Sequence, residues 1–109
     1  MPLVKEIEVS ELSELLKDKL NKVEVYDVRS SHEVSLGSIP SSRHMPLHVL
    51  PSKLVELSDD YPIILFCHLG ARSAQACMYL QNAGFSNVYT LRGGFKAWRA
   101  SGLLEETTC

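Results

Sequence analysis

A short loop in the second half of the chain combines residue types that can support nucleophilic chemistry by sulfur. Its sequence is CHLGARS, residues 67–73, and it follows an apolar run at residues 63–66. A helical pattern of apolar residues begins near Ser73. Amides at a helix start have no intrahelical partner, and the positive end of the helix dipole lies there. Both effects favour a thiolate and can lower a cysteine pKa to about 3.5–7.5. The sequence therefore predicts that Cys67 is a nucleophile.

Two further residues of this loop suit the binding of an anion beside Cys67. Gly70 allows the loop to curl without a Cβ clash. Amides that point inward from a curled loop form a cradle for an anion. Arg72 adds a fixed positive charge and a planar fork of donors. The loop therefore predicts an anion cradle around the cysteine.

The other two cysteines are predicted to have no chemical role. Cys77 lies in the middle of the helical pattern, on the side of Tyr79 and Leu80, which favours core packing. Cys109 ends a polar tail and is expected to be inert, although it can form an intermolecular disulfide in air. Three cysteines without a CxxC pair or zinc spacing argue against a disulfide framework and a metal site. A reducing cytosol is the simplest compartment.

Several charged residues outside the loop are weaker candidates. Asp27 ends a predicted strand, and Arg29 and Glu33 follow it closely. A carboxylate near the cysteine can act as a base, but such residues more often cap loops and pair with each other. His68 can carry charge beside the thiolate or point to solvent, and Arg92 can border the mouth of the pocket. The sequence leaves these alternatives open.

The elements that must position the cysteine loop follow from the pattern of apolar residues. Short apolar or β-branched runs predict strands at residues 7–9, 23–28, 63–66 and 88–91. Helical spacing predicts helices at residues 10–20, 47–57, 72–83 and 95–100. Residues 29–46 are rich in Ser, Gly and Pro, and predict a long loop with a short strand near His44. Strands that alternate with helices indicate an α/β fold with a mostly parallel sheet.

Particular residues define the ends and faces of these elements. Ser10 is predicted to cap the first helix, whose apolar stripe runs to Leu20. The apolar stripe of the third helix includes Tyr79, and Gly84 is placed to end that helix. Residues 93 and 94, both glycines, predict a turn, and Trp98 is predicted to pack in the core.

The length and composition of the chain bound its class. It has 109 residues, of which 45% are hydrophobic and 22% charged, the usual mixture of a globular protein. We expect one domain over residues 1–109, with a core at residues 5–104 and a short polar C-terminal tail. A formal net charge of −2 disfavours nucleic acid as a partner. No apolar run approaches the roughly 20 residues of a membrane span. The N-terminus also lacks a signal-peptide pattern, so we expect a cytoplasmic protein with no membrane partner.

Three segments, in this order along the chain, resemble the single-domain rhodaneses, a family of thiosulfate or persulfide sulfurtransferases. Residues 26–47, YDVRSSHEVSLGSIPSSRHMPL, resemble the family's D-V-R-x-x-x-E-x-x-x-G-H-I-P-G-A-x-x-I-P-L. The loop at residues 67–73 is similar to the family's active-site loop, C-x-x-G-x-R-S. Residues 88–104, VYTLRGGFKAWRASGLL, resemble its last strand, Gly-Gly pair and Trp-containing helix. The resemblance covers roughly residues 5 to 104.

This resemblance implies a fold, an activity and a site. The fold would have three layers, with a central five-stranded, mostly parallel sheet and helices on both faces. Cys67 would take sulfane sulfur from thiosulfate or a persulfide donor, hold it as a persulfide, and pass it to a thiol or cyanide. The thiol could belong to a thioredoxin-like or other sulfur-relay protein, and no metal or organic cofactor would be needed. The residues that would bind the persulfide or the donor are His68, Leu69, Gly70, Ala71, Arg72 and Ser73.

The spacing between Cys67 and Arg72 bears on competing chemistry. Related phosphatases carry a C-x5-R loop that is wide enough for phosphate or arsenate, whereas this chain has C-x4-R. The shorter loop disfavours a phosphatase or an arsenate reductase. A catalytically weak binding or regulatory module is a second alternative, although such modules often replace the cysteine that this chain retains.

The chain departs from the family pattern in two places. Where the family has Gly-His-Ile-Pro-Gly-Ala, residues 37–42 read GSIPSS, so Ser38 and Ser41 replace a histidine and a glycine. We expect these two changes to be structural. Leu69 stands where some thiosulfate-active members have a cation, and its side chain cannot attract a sulfonate. Thiosulfate is therefore expected to be a poorer donor than a persulfide.

Overall fold

The computed structural model describes residues 4–18, 20 and 22–105, and these residues alternate between strands and helices. The strands are β1 Glu6–Ile7, β2 Glu24–Asp27, β3 Arg43–His44, β4 Ile63–Phe66 and β5 Val88–Leu91. The helices are α1 Val9–Lys17, α2 Ser31–Ser35, α3 Leu50–Lys53, α4 Ala71–Asn82 and α5 Gly94–Ala100. Two 3-10 turns, Leu47–Val49 and Leu54–Glu56, flank α3.

The strands form a five-stranded sheet in the order β1-β5-β4-β2-β3, and every pair of neighbours is parallel. The central strand β4 pairs with β2 and β5, with Ile64 opposite both Val25 and Tyr89. All four residues of β4 are fully buried. An unbroken apolar strand suits this position because helices cover both faces of the sheet. The predicted five-stranded parallel sheet is therefore confirmed.

The two faces of the sheet bury separate apolar clusters. On one face, Ile63 and Leu65 of β4 pack in a cluster with residues of α3 and α4. On the other face, Ile64 and Phe66 pack with residues of α1 and α5. Successive strand residues point to opposite faces, so four consecutive residues of β4 supply both clusters. The result is the three-layer arrangement that the resemblance implies.

The first helix differs from its prediction at both ends. Val9, predicted to end a strand, is the first residue of α1, and Glu8 rather than Ser10 occupies the N-cap. The amide of Glu8 donates a hydrogen bond of 3.0 Å to Glu11 Oε1, so the capping interaction starts two residues earlier than predicted. Leu20 lies beyond α1 and is exposed, which makes the predicted extension of the apolar stripe wrong.

The predicted loop at residues 29–46 contains a helix that the sequence analysis missed. Ser30 caps α2: its hydroxyl accepts a hydrogen bond from the amide of Glu33, and its own amide donates to Glu33 Oε1. This helix has five residues and one buried apolar side chain, Val34, so it carries little apolar periodicity. The short strand predicted near His44 is present as β3.

The remaining helical predictions hold with small changes. Helix α4 begins one residue earlier than predicted, and Gly84 follows its end with a φ of 103°, as expected of a terminating glycine. Cys77 and Trp98 are buried in the core, which confirms their predicted packing. Tyr79 is 39% exposed, so its predicted place on the buried stripe is wrong. Among the described residues, no helix is long and apolar enough to cross a bilayer.

Candidate active site

The cysteine loop lies at the carboxyl end of the central strand. Cys67 directly follows β4, and α4 begins four residues later. Gly70 is the N-cap of α4 and has a φ of 129°, a conformation that side-chain-bearing residues rarely adopt. The loop therefore turns sharply enough to place the start of α4 beside the sulfur. In parallel α/β sheets, this edge is where ligand sites occur.

The sulfur of Cys67 is surrounded by hydrogen-bond donors. The amide of Gly70 donates to Sγ at 3.0 Å, and the amide of Ser73 donates at 3.4 Å. The hydroxyl of Ser73 lies 3.5 Å from the same atom. The side chain is also almost fully buried, with 1% exposed. The predicted cradle of inward-pointing amides is thus present around Sγ.

These donors change the acidity of the thiol. Burial by itself raises the pKa of Cys67, because a charged sulfur loses its hydration. The Ser73 hydroxyl lowers the pKa, as do the amides of Ser73, Gly70 and Arg72. The donors outweigh burial, so the pKa lies below the ordinary value of a cysteine thiol. The predicted bias towards the thiolate therefore has a specific source in the loop.

Helix α5 holds the cysteine loop from the opposite side. The amide of Phe95 donates to the carbonyl oxygen of Cys67 at 2.8 Å, and that of Lys96 to the carbonyl oxygen of His68 at 3.1 Å. Gly94 has a φ of 64°, and a Cβ there would lie 2.5 Å from the oxygen of His68. The predicted glycine turn therefore has a further role, because only glycine lets α5 approach the loop this closely.

The guanidinium of Arg72 pairs with a carboxylate of helix α2. Its Nη1 and Nη2 atoms donate to Oε1 and Oε2 of Glu33 at 2.6 and 2.8 Å. The expected donor fork is thus already occupied, although the charges of Arg72 and Cys67 still interact: the hydrogen bonds to Glu33 raise the pKa of Arg72, and the charge of Cys67 raises it as well. The backbone amide of Arg72 lowers the pKa of Cys67. The hydrogen bonds from Arg72 hold the pKa of Glu33 at about 2. This ion pair attaches α2 to the first turn of α4.

Asp27 and Arg29 form a second, fully buried ion pair. Arg29 donates to both carboxylate oxygens of Asp27, at 2.9 and 2.7 Å, and its Nη2 also donates to Gly37 O at 2.6 Å. The guanidinium carbon lies 4.5 Å from the centre of the Phe95 ring, a cation–π contact. Asp27 is completely buried and its oxygens are used by these partners. The geometry supports the structural alternative for Asp27 rather than a base.

The departures from the family pattern at residues 38 and 41 lie between α2 and β3. Ser38 replaces the histidine, and its hydroxyl donates to Oδ2 of Asp27 at 2.7 Å. Ser41 replaces the glycine and has a φ of 70°, the left-handed conformation that favours glycine. Among the described residues it is the one non-glycine with a positive φ. The hydroxyl of Ser38 thus contributes to the buried ion pair, whereas Ser41 differs from the family in its backbone conformation.

Three residues of the cysteine loop are exposed. His68 is exposed and lines a groove of about 330 Å³ together with Lys96 and Arg99. Leu69 is 59% exposed, and Ala71 is exposed at the start of α4. Arg92 is exposed, and its Nη1 donates to Oε1 of Glu8 at 3.1 Å. Cys109 lies outside the described residues.

One buried polar residue of this site was missed by the sequence analysis. Thr90, on β5, is 4% exposed, and its Oγ1 lies 2.6 Å from Ser73 Oγ. A hydroxyl within the otherwise apolar and aromatic run VYTL is a weak signal that could have marked it. Within the described part of the chain, no group of three or more His, Cys, Asp or Glu residues is placed to hold a metal ion.

Known proteins resemble this chain in sequence and in fold. Residues 8–101 match the model of the rhodanese-like domain, so the chain belongs to the rhodanese family. A sulfurtransferase of Allochromatium vinosum is 39% identical over 101 residues, which are 93% of this chain and 94% of the relative. The thiosulfate sulfurtransferase GlpE of Stutzerimonas stutzeri is 43% identical over 75 residues, 69% of each chain.

A solved structure shows the same fold along almost its whole length. The crystal structure of a rhodanese-related protein from Thermoplasma volcanium superposes with a TM-score of 0.85 at 30% identity. The match covers 95% of this chain and 99% of that protein. The rhodanese fold that the resemblance implies is therefore confirmed.

Proposed function

We propose that this rhodanese-type enzyme is a sulfurtransferase in which Cys67 carries the transferred sulfur as a persulfide. The single observation that supports this most is the set of donors around Sγ, from Gly70 and Ser73. A nucleophile is most effective as a thiolate, and these donors stabilise that form. The relatives that are named sulfurtransferases support the same class of reaction for this chain.

The reaction has two displacements at sulfur. The Cys67 thiolate attacks the sulfane sulfur of the donor, an S–S bond forms, and the bond from that sulfur to the rest of the donor breaks. With thiosulfate the leaving group is sulfite, which departs with the electron pair. An acceptor thiolate then attacks the outer sulfur of the persulfide and takes it, and Cys67 leaves as a thiolate. No net oxidation or reduction of the enzyme occurs over the cycle.

The burial of Cys67 favours an acceptor thiol that reaches the outer sulfur rather than Sγ itself. Cys67 has 1% of its surface exposed, whereas a persulfide sulfur extends about 2 Å beyond Sγ. A small thiol, cyanide or a thioredoxin-like or other sulfur-relay protein would meet this requirement in the cytoplasm. Leu69, exposed and apolar, provides no attraction for the charge of thiosulfate, which supports a persulfide as the better donor.

A phosphatase or arsenate reductase is the less favoured alternative. Such chemistry needs several donors around a tetrahedral oxyanion, and here the guanidinium of Arg72 is bound to Glu33 on both of its terminal nitrogens. The six-residue span from Cys67 to Arg72 also gives a narrow loop. Both features suit a single sulfur atom better than a phosphate.

Intact mass spectrometry tests the proposal directly. After incubation with thiosulfate or a polysulfide, we expect the protein to gain the mass of one sulfur atom, located on Cys67 by peptide mapping. The Cys67→Ser variant should gain none, while the matched Cys77→Ser variant should still load, because Cys77 is buried in apolar surroundings. Acceptor thiol should then remove the added mass. A chain that folds but never gains sulfur would support the binding-module alternative.

A further inference from the structure

Two buried hydroxyl groups are linked to the sulfur of Cys67. Thr90 Oγ1 lies 2.6 Å from Ser73 Oγ, and Ser73 Oγ lies 3.5 Å from Sγ. Both side chains are shielded from water, with 4% of Thr90 and none of Ser73 exposed. Water therefore cannot readily replace either hydroxyl as a hydrogen-bond partner. Thr90 has no hydrogen bond of its own to Sγ among the described hydrogen bonds, so its hydrogen-bonded connection to the sulfur runs through Ser73.

The direction of these hydrogen bonds follows from counting hydrogens. The Ser73 hydroxyl has one hydrogen, and two acceptors besides Thr90 are within reach: Gly70 O at 3.2 Å and Cys67 Sγ. When Cys67 is a thiolate, Sγ can only accept, and a charged acceptor is the stronger one. The Ser73 hydrogen then points at the sulfur, which leaves the lone pairs of Ser73 Oγ free to accept.

Thr90 is placed to donate to those lone pairs. Among the described residues, Ser73 Oγ is the hydrogen-bond partner of the Thr90 hydroxyl. A buried hydroxyl that does not donate leaves its hydrogen unsatisfied, which native structures avoid. Donation by Thr90 satisfies that hydrogen and also polarises the Ser73 O–H bond towards the sulfur. The reverse arrangement, with Ser73 donating to Thr90, would withdraw the Ser73 hydrogen from Sγ.

We propose that Thr90 is a positioning residue for the reaction: its hydroxyl orients that of Ser73 so that Ser73 donates to the Cys67 thiolate. The catalytic consequence rests on the proposed function, because Cys67 is a thiolate when it attacks the donor and again when the acceptor displaces it. Thr90 therefore assists both displacements without touching the transferred sulfur.

The Thr90→Val variant tests this proposal, because valine has nearly the shape of threonine and lacks the hydroxyl. The readout is the rate of alkylation of Cys67 by iodoacetamide against pH, located by peptide mapping. We expect the apparent pKa of Cys67 to rise by about 0.5 to 1, with a roughly three- to tenfold slower alkylation at a fixed pH below that pKa. Thr90→Ser should restore the original profile.

Two controls separate this role from a general effect on folding. Tyr89→Phe removes a hydroxyl from the adjacent position of β5, whose side chain packs in the other apolar cluster, and should leave the profile unchanged. In a Ser73→Ala background, Thr90→Val should have no additional effect, because its connection to the sulfur is gone. Should valine prevent folding, Thr90→Ala is the second hydroxyl-free variant and should show the same rise.

An unchanged profile in folded Thr90→Val would overturn the proposal. An equal rise of the pKa with and without Ser73 would also overturn it, since Thr90 would then act by another route. Because alkylation requires no sulfur donor, these results do not depend on the mass-spectrometry test of persulfide formation. If the unmodified protein formed no persulfide, the proposed function would be contradicted. The pKa profile would still decide the role of Thr90.

Discussion

Two cysteines in the same apolar cluster have opposite chemical character because their nearest atoms differ. Cys67 and Cys77 are both buried, yet only Cys67 lies beside amides at a helix start. Burial without donors raises the pKa of Cys77 to about 12, whereas the donors around Cys67 lower its pKa. Reactivity at the scale of a residue is therefore set by a few hydrogen bonds, and residue type or depth alone does not determine it.

Leu69 provides a test of donor selectivity at this scale. Leu69→Arg should improve the use of thiosulfate by roughly fivefold, because a cation at this exposed position adds about 1 kcal/mol of attraction for a dianion. A neutral persulfide donor should gain little. The measurement is the ratio of kcat/KM values for the two donors at low and high salt.

The added positive charge of Leu69→Arg needs a control, because an arginine added anywhere raises the attraction of the protein for anions. Val55→Arg adds the same charge at an exposed position in the turn Leu54–Glu56, outside the cysteine loop, and should leave the donor ratio unchanged. The gain at Leu69 should shrink with salt. An equal improvement for both donors would show that Leu69 affects loop shape rather than donor choice.

Ser41 is a second residue whose substitution has a defined outcome. Ser41→Gly should stabilise the protein by about 0.5–1 kcal/mol, because relief of the left-handed backbone exceeds the added freedom of the unfolded chain. Ser41→Ala keeps the unfavourable φ and should give no such gain. Urea unfolding of the three proteins measures the differences. A gain with alanine equal to that with glycine would assign the effect to the lost hydroxyl.

At the scale of elements, the strands were predicted better than the short helices. β4 and β5 occur where the apolar runs predict them, because the pattern of a buried strand is contained in the strand itself. Helix α2 was missed because its stabilisation comes from the Ser30 cap and the distant Arg72, and its own sequence is mostly polar. The cap of α1 at Glu8 was misplaced because serine is the commoner capping residue.

The candidate site likewise has features that the sequence predicts and features that it does not. The cysteine, its glycine and the helix start belong to one local motif and could be recognised in the sequence. The pairing of Arg72 with Glu33 and the contact of Thr90 with Ser73 join residues that are far apart along the chain. No local pattern encodes such contacts, because they depend on the packing of α2 and β5 against the loop.

Because α5 lies so close to the cysteine loop, one added methyl group on α5 should cause a large loss of stability. Gly94→Ala should destabilise the protein by about 2 kcal/mol or more, because its Cβ would overlap the backbone of residues 67 and 68 at a positive φ. The alkylation rate of Cys67 should also change. Denaturant unfolding and the alkylation profile are the measurements.

Gly102 supplies the matched control for this substitution. It has a φ of 72°, close to the 64° of Gly94, but nothing lies within 4 Å of an added Cβ. Gly102→Ala should therefore show the backbone cost alone and leave the alkylation of Cys67 unchanged. If both variants lost the same stability, the close approach of α5 would contribute nothing.

At the scale of the whole molecule, the Glu33–Arg72 pair joins the first half of the chain to the active-site helix. Hydrogen bonds from Arg72 lower the pKa of Glu33 from its ordinary 4.5 to about 2. A lowered pKa in the folded state adds stability that is present above the ordinary value and is lost as the pH falls towards 2. Acid should therefore loosen the link between α2 and α4.

Glu33→Gln tests this link by removing the titrating group. The variant should be less stable at neutral pH by on the order of 1 kcal/mol or less, because the pair is partly exposed to water. The difference from the unmodified protein should narrow between pH 4.5 and pH 2. Glu14→Gln, which breaks the exposed pair with Lys17, is the control and should show a smaller effect at every pH. A difference that widens in acid would contradict the assignment.

Helix α5 anchors two carbonyl groups of the cysteine loop, and this affects how much the dipoles around the sulfur must reorganise during the reaction. In a trans peptide, the carbonyl and the following amide point in opposite directions, so fixing Cys67 O and His68 O also directs the next two amides away from α5. These dipoles are set when the chain folds, before any donor arrives. A sulfur anion that forms beside the loop thus meets an environment that is already polarised, whereas water would first have to rotate.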